Sequence, residues 1–287
     1  MRSFSLVSMA NESIARIADA ILSPPKVLFR ARGPKHVAFR SLFVHAVPMG
    51  TSASRDIRWF ETIGSTNREA AEWARAGAVP GSVIVSDEQT AGRGRLDRSW
   101  FSPSKQGLFF SVILEPGGSS ESLGVVGLAA AVALHEVLRT KGIHASVKWP
   151  NDVLIGGRKV AGILSESVSL ADGRSPVVVG IGLNVGMSSF PGNLAQVATS
   201  LLIETGELFD REELLQEILS ESDRTMVGFP ASVIDRYRPI CSTIGREVRI
   251  QTASGSMDGV AADVDERGGL VLKDGTVVHA GDVIHLR

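Results

Sequence analysis

The 287 residues hold 30 Lys+Arg against 31 Asp+Glu and are 44% hydrophobic, the balance of a globular chain of about two domains. The net charge of −1 argues against broad electrostatic binding of nucleic acid or an anionic membrane. One cysteine, Cys241, excludes an internal disulfide and every multi-cysteine metal site and fits a reducing, cytoplasmic setting.

The charge is unevenly spread. Residues 1–55 hold eight Lys/Arg and two Asp/Glu, so they carry +6 and the rest carries −7. This stretch also holds Pro24, Pro25, Gly33, Pro34, Pro48 and Gly50, and only 14–22 has helical spacing. A basic, acid-poor leader is one reading, because transit peptides have that composition. The stronger one is a poorly ordered extension that does not join the fold. No helix-turn-helix pattern occurs in it, and no secretory signal is convincing.

From Asp56 the texture changes. Residues 57–60 read as a short strand. Thr66, with Glu69 three residues on, has capping-box spacing and opens a helix over 70–76, closed by Gly77. Residues 82–86 read as a strand, 92–98 as a glycine- and arginine-rich loop, and 107–114 as an apolar strand. The longest apolar run, 123–140, is interrupted by Gly124, Gly127, His135 and Glu136. It falls short of the ~20 apolar residues of a membrane span and reads as a buried helix. Residues 145–149 form a strand. Residues 153–155 and 159–165 flank Gly156-Gly157, a two-residue hairpin turn. Residues 177–183 make a continuous apolar strand. Asp210 to Glu213 cap a helix with Leu214, Leu215, Ile218 and Leu219 on one face. After Ile244 come short strands at 247–250, 257–264, 270–272, 276–279 and 283–286, broken by glycine turns. The pattern is an α+β domain followed by a small β-barrel, with the boundary near 242–245.

Familiar sites fail first. There is no P-loop, and the glycine pairs at 92/94 and 180/182 lack the third glycine of a dinucleotide fingerprint. The six histidines lack metal-ligand spacing, and His279 and His285 read as strand surface residues. Four blocks remain. Gln89-Thr90-Ala91-Gly92-Arg93-Gly94-Arg95 sets arginine forks among glycines that permit close backbone approach. Lys148-Trp149-Pro150-Asn151-Asp152 packs a cation, an aromatic, an amide and a carboxylate into five residues. Lys159 heads an apolar strand, where it can face an anion or simply solvent. Gly180-Ile181-Gly182-Leu183-Asn184-Val185 places an amide at the end of a central strand.

With Ser65-Thr66-Asn67, Trp100 and the ending 281–287, these blocks resemble the biotin protein ligases in order and approximate spacing, over roughly residues 56–287. The resemblance is to the short form without a DNA-binding repressor domain, so no repressor activity is expected. It implies a class-II-synthetase-like catalytic domain at 56–242, with a mixed sheet and helices, and a Src-homology-3-like barrel at 243–287. It implies that ATP and Mg²⁺ activate biotin to biotinyl-5′-AMP. The biotin then passes to a lysine of a biotin carboxyl carrier domain, as in acetyl-CoA carboxylase. By resemblance, Ser65, Thr66, Asn67 and Gln89 hold the biotin head; Arg93, Gly94 and Arg95 line a closing loop; and Lys159 bridges carboxylate and α-phosphate. Lys159, Arg95 and Arg93 are the catalytic candidates. Trp100, Lys148, Asn151, Asp152, Asn184 and Arg287 fall on the ATP side, with Mg²⁺ near Asp152. No nucleic-acid or membrane partner is expected, and the family's habit of pairing through sheet edges leaves a homodimer open. The rivals are a lipoate or octanoyl ligase of the same ancestral fold, a non-catalytic biotin or adenylate sensor, and a nucleic-acid module on the barrel. The glycine–arginine loop, the 148–152 block and the C-terminal stretch favour biotin over lipoate. A sensor predicts damaged cations, yet Arg93, Arg95, Lys148 and Lys159 are present. Residues 245–287 lack an aromatic side chain for base stacking.

Overall fold

An eight-stranded mixed sheet organises the chain, in the order β1-β2-β3-β4-β8-β7-β6-β5. Its strands are β1 (Phe39–His45), β2 (Ser54–Ile63), β3 (Val83–Gln89), β4 (Gly107–Leu114), β5 (Ala145–Lys148), β6 (Asp152–Ile155), β7 (Arg158–Ser167) and β8 (Val177–Asn184). All neighbours are antiparallel except β2 and β3, which are parallel with α1 (Thr66–Arg75) in the crossover. The structure is a computed structural model that describes residues 39–45, 54–115, 122–252 and 255–286. The helix-spaced stretch 14–22 and Arg287 lie outside the described residues.

The central strands β4 and β8 read as nearly continuous apolar runs because both sheet faces are covered there. Val83 and Val85 join one core, under α2 (Ser122–Thr140), while Ile84 between them joins the other, under α1. The same alternation sorts β8: Val177, Val179, Ile181 and Leu183 face the α2 side, and Val178 faces α1. Two short helices follow β8, α3 (Leu194–Val197) and α4 (Leu201–Thr205). Helices α5 (Arg211–Thr225) and α6 (Ala231–Tyr237) then pack on α2. Asp210 caps α5 by accepting from Glu213 N at 2.8 Å, and Leu214, Leu215, Ile218 and Leu219 are buried, as expected. Gly156 and Gly157 take φ of 57° and 80°, the left-handed pair that a type I′ hairpin requires.

The C-terminal strands are β9 (Glu247–Thr252), β10 (Gly255–Val264), β11 (Leu270–Leu272), β12 (Val277–Val278) and β13 (Asp282–His285). They form an antiparallel sheet in the order β12-β11-β10-β9-β13, with a register shift between Ala261 and Asp263. Its buried Val248, Ile250, Leu270 and Val283 join the same core as the larger sheet. Trp149, 1% exposed, fastens the two together. Its backbone N donates to Thr243 Oγ1 at 3.0 Å and its indole Nε1 to Gly268 O at 2.9 Å.

Three expectations are corrected here. Part of the leader does join the sheet, because Phe39–His45 pairs antiparallel with β2 from Phe39↔Phe60 to His45↔Ser54. The strand expected at 57–60 accordingly runs ten residues, Ser54–Ile63. Helix α1 starts at Thr66 with Ser65 as its N-cap, rather than at 70 with Thr66 as the cap. The Thr66 hydroxyl is not spent on capping; it meets Gln89 and Ser111 instead.

Candidate active site

The cleft lies on the α1 face of the large sheet, where the helix stops covering it. By strand alternation, Gly180, Gly182 and Asn184 follow Val178 on that face. A Cβ on Gly180 would sit 1.9 Å from Asn67 Oδ1, and one on Gly182 would sit 2.5 Å from Trp100 Nε1. Glycine is required at both positions, because side chains of the cleft lie directly on the backbone there. The cavity is about 620 Å³, the size of a small-ligand site. The described residues to which the resemblance gives a site role all line it: Ser65, Thr66, Asn67, Gln89, Arg93, Gly94, Arg95, Trp100, Lys148, Asn151, Asp152, Lys159 and Asn184.

One end is a buried hydrogen-bonding network. Ser65, Thr66 and Asn67 are each 4% exposed at the start of α1. Gln89 Oε1 accepts from Thr66 N at 2.9 Å and Thr66 Oγ1 at 3.2 Å, and its Nε2 donates to Ser102 Oγ at 3.0 Å. Ser111, fully buried on β4, donates to Asn67 Oδ1 at 2.7 Å and lies 2.8 Å from Thr66 Oγ1. Buried polar groups are tolerable only when satisfied in this way.

The other end is cationic. Lys159 Nζ stands 2.5 Å from Asp152 Oδ1 and 5.1 Å from the Trp100 ring centroid. Arg95 Nη1 donates to Asn151 Oδ1 at 3.4 Å, and Asn151 Nδ2 to Ile163 O at 3.0 Å. Burial pulls the Arg95 guanidinium below its ordinary value, opposed by Asp282 and Asp152. Asn184 ties down the floor, donating to Thr199 O at 2.8 Å and Lys159 O at 3.4 Å. Trp100 lies across Gly162 and Gly182 with its indole Nε1 buried and without a hydrogen-bond partner. Of the 148–152 block, Lys148, Asn151 and Asp152 face the cleft, whereas Trp149 is the fastener described above.

The C-terminal sheet supplies wall residues that sequence reasoning missed. Arg98 Nη2 pairs with Asp282 Oδ2 at 2.5 Å, joining the glycine–arginine loop to β13. His285 is corrected from strand surface to cleft wall. Burial, then Lys148, then Arg246 depress its pKa to about 4, and its Nε2 lies 3.0 Å from Thr243 Oγ1. Ser102, Ser111 and Glu166 were also passed over. Isolated Ser and Glu in strands or loops carry no sequence signal, and only the fold brings them to Gln89 and Asn67.

A buried polar pocket, an adjoining cluster of Lys and Arg and a glycine-rich loop between them form a cleft whose chemistry suits a small polar-headed molecule and an anion. The comparisons with known proteins agree. Residues 59–184 match the biotin/lipoate A/B protein ligase family, and residues 243–286 match the biotin protein ligase C-terminal domain. The chain is 37% identical over 222 residues to the bifunctional ligase/repressor BirA of Bacillus spizizenii, covering 74% of this chain and 68% of that one. It is 35% identical over 238 residues to the biotin–[acetyl-CoA-carboxylase] ligase of Mycobacterium tuberculosis, covering 78% and 86%. The biotin protein ligase of Aquifex aeolicus, solved with biotin and ATP, superposes with a TM-score of 0.70 at 28% identity, over 80% of this chain and 98% of that one. Within this class the chain belongs to the biotin protein ligase family. Among the described residues, no helix is long and apolar enough to cross a membrane.

Proposed function

We propose that this chain activates biotin with ATP and transfers it to a lysine of a biotin carboxyl carrier domain, in the cytoplasm and without a repressor role. The observation that carries this reading is the cleft itself. A buried hydrogen-bonding pocket around Asn67 and Gln89 adjoins Arg93, Arg95, Lys148 and Lys159 in one cavity.

In the first step a biotin carboxylate oxygen forms a bond to the α-phosphorus of ATP. The bond from that phosphorus to the bridging oxygen breaks, and pyrophosphate leaves. Two anions must meet, so preorganised cations are needed where charge accumulates. Lys159 bridges carboxylate and α-phosphate, and Arg95 and Arg93 act from the loop. Ser65, Thr66, Asn67 and Gln89 hold the ureido head, a polar group that needs partners in a buried site. Trp100 stacks near the adenine. Lys148, Asn151 and Asn184 serve the nucleotide; the role that the resemblance implies for Arg287 falls outside the described residues.

Among the described residues no three His, Cys, Asp or Glu side chains form a metal cluster. Mg²⁺ typically binds through one or two carboxylates and substrate phosphates, and Asp152 suits that use. There Mg²⁺ would offset triphosphate charge. In the second step the neutral amine of the acceptor lysine attacks the acyl carbonyl, the acyl–phosphate bond breaks, AMP leaves and the amine gives up a proton. Closure of the loop at 89–98 would keep water from the adenylate.

We place the catalytic domain at 56–242, extended at its N-terminus by the paired strand Phe39–His45 and the start of β2, with a class-II-synthetase-like sheet, and a Src-homology-3-like unit at 243–287. The test is biotin transfer to a purified carrier domain with ATP and Mg²⁺, for wild type beside Lys159→Ala. Transfer by wild type and its loss in the variant support the reading. Absence of transfer by wild type, with biotin still bound, points to a sensor.

A further inference from the structure

Glu166, on β7 in the same register as Gly162 and Leu164, has no part in the reaction described above. Its carboxylate nevertheless reaches two site residues at once. Oε2 accepts from Asn67 Nδ2 at 2.7 Å, and Oε1 pairs with Arg93 Nη1 at 3.1 Å.

The consequence falls on Asn67. Its other amide hydrogen goes to Leu164 O at 3.2 Å, and its Oδ1 accepts from Ser111 at 2.7 Å. A carboxylate and a carbonyl can only accept, so the amide nitrogen must face β7. The opposite orientation would set Asn67 Oδ1 against two acceptors. Oδ1 is thereby turned over Gly180, where a Cβ would come within 1.9 Å of it. One of its lone pairs serves Ser111, and the second remains for an N–H donor in the cleft. A cyclic urea offers such donors.

We propose that Glu166 is a positioning residue. It fixes the acceptor face of Asn67 towards a ureido N–H, and through Arg93 it ties that recognition to the glycine–arginine loop. The proposal rests on the biotin reading and deepens it. Ureido recognition and loop position share one carboxylate, so a ligand held correctly by Asn67 finds the loop already anchored at Arg93. Without the carboxylate, Asn67 is able to turn over and Arg93 loses its partner.

The test uses the full chain as wild type, Glu166→Gln and Glu166→Asp. Glutamine keeps the size but brings an N–H that lets Asn67 reverse, and it removes the charge facing Arg93. Aspartate keeps the charge but is one methylene too short to span both partners. Three readouts are taken: biotin affinity by calorimetry without ATP, KM and kcat for biotin transfer, and tryptic cleavage at 89–98 with and without saturating biotin.

The expected result for Glu166→Gln is a Kd and KM for biotin raised about ten- to a hundred-fold. The KM for ATP and the melting temperature stay near wild type, and saturating biotin no longer slows cleavage of the loop. Glu166→Asp falls between the two. Unchanged biotin affinity and loop protection in Glu166→Gln overturn the proposal. So does a loss of kcat and melting temperature without a change in biotin affinity, which marks a structural role only. A wild type that neither binds nor transfers biotin overturns the functional reading itself, and the proposal with it.

Discussion

Lys159 and Asp152 form an ion pair at 2.5 Å across the β6–β7 hairpin, with the Trp100 ring 5.1 Å from the same ammonium. The cation is held in place before any anion arrives. Its four-carbon stem is fixed by Trp100 and the strand, so little ordering remains to be done when substrate displaces Asp152. Lys159→Ala should therefore lower kcat/KM for adenylate formation by about 10²- to 10³-fold, while biotin affinity falls much less. Pyrophosphate release measured beside biotin calorimetry checks this. A loss confined to KM for biotin would mean that Lys159 only binds.

Close packing against β8 gives a second prediction. Gly180→Ala places a methyl 1.9 Å from Asn67 Oδ1 and should abolish measurable biotin binding. Gly182→Ala collides with Trp100 at 2.5 Å and should raise the KM for ATP more than that for biotin. Both backbones are extended strand, so circular dichroism should show the fold retained. Calorimetry with each ligand separates the two effects.

These glycines show how much of the site the sequence made legible. The sequence placed their block, with Asn184, at the end of a central strand, but the open strip that Gly180 and Gly182 leave for Asn67 and Trp100 is visible only in the fold. The arginine loop and the 148–152 block stood out because charged and amide groups rarely crowd so closely. Within that block, sequence could not separate the structural Trp149 from the cleft-facing Lys148 and Asp152. Only the second sheet supplies the Gly268 carbonyl that takes up the indole N–H. Ser111, Glu166 and Asp282 were illegible for a related reason. Each acts on a residue 44, 99 or 184 positions away, and no local pattern encodes such a pairing. Strand β1 was missed because its partner register lies beyond a Pro- and Gly-bearing stretch that reads as linker.

The cap on α5, which is not among the residues lining the cleft, supplies a control. Asp210 accepts from Glu213 N at 2.8 Å, and Asp210→Ala should cost about 1 kcal/mol of stability. Transfer activity should stay at the wild-type level at temperatures well below the transition. Chemical denaturation measures the first and the transfer assay the second. An activity loss with unchanged stability would link α5 to the chemistry.

His285 gives the pH dependence its sign. Its folded pKa, about 4, lies below the ordinary 6.5, so the folded chain binds fewer protons than the unfolded chain between those values. Stability must then fall as pH drops from 6.5, and this contribution levels off below about pH 4, where both states are protonated. The cause is burial first, then Lys148 and Arg246, which together disfavour an imidazolium in the cleft wall. His285→Gln keeps a polar partner for Thr243 but cannot take up the proton. Its melting temperature should therefore decline less steeply over that window than the wild type's, with the two curves running parallel above pH 7. Scanning calorimetry across the range decides it. Parallel curves throughout would show that His285 is not held neutral. Nucleotide should narrow the difference, because phosphate charge beside Lys148 stabilises the protonated ring and brings its folded value back towards 6.5.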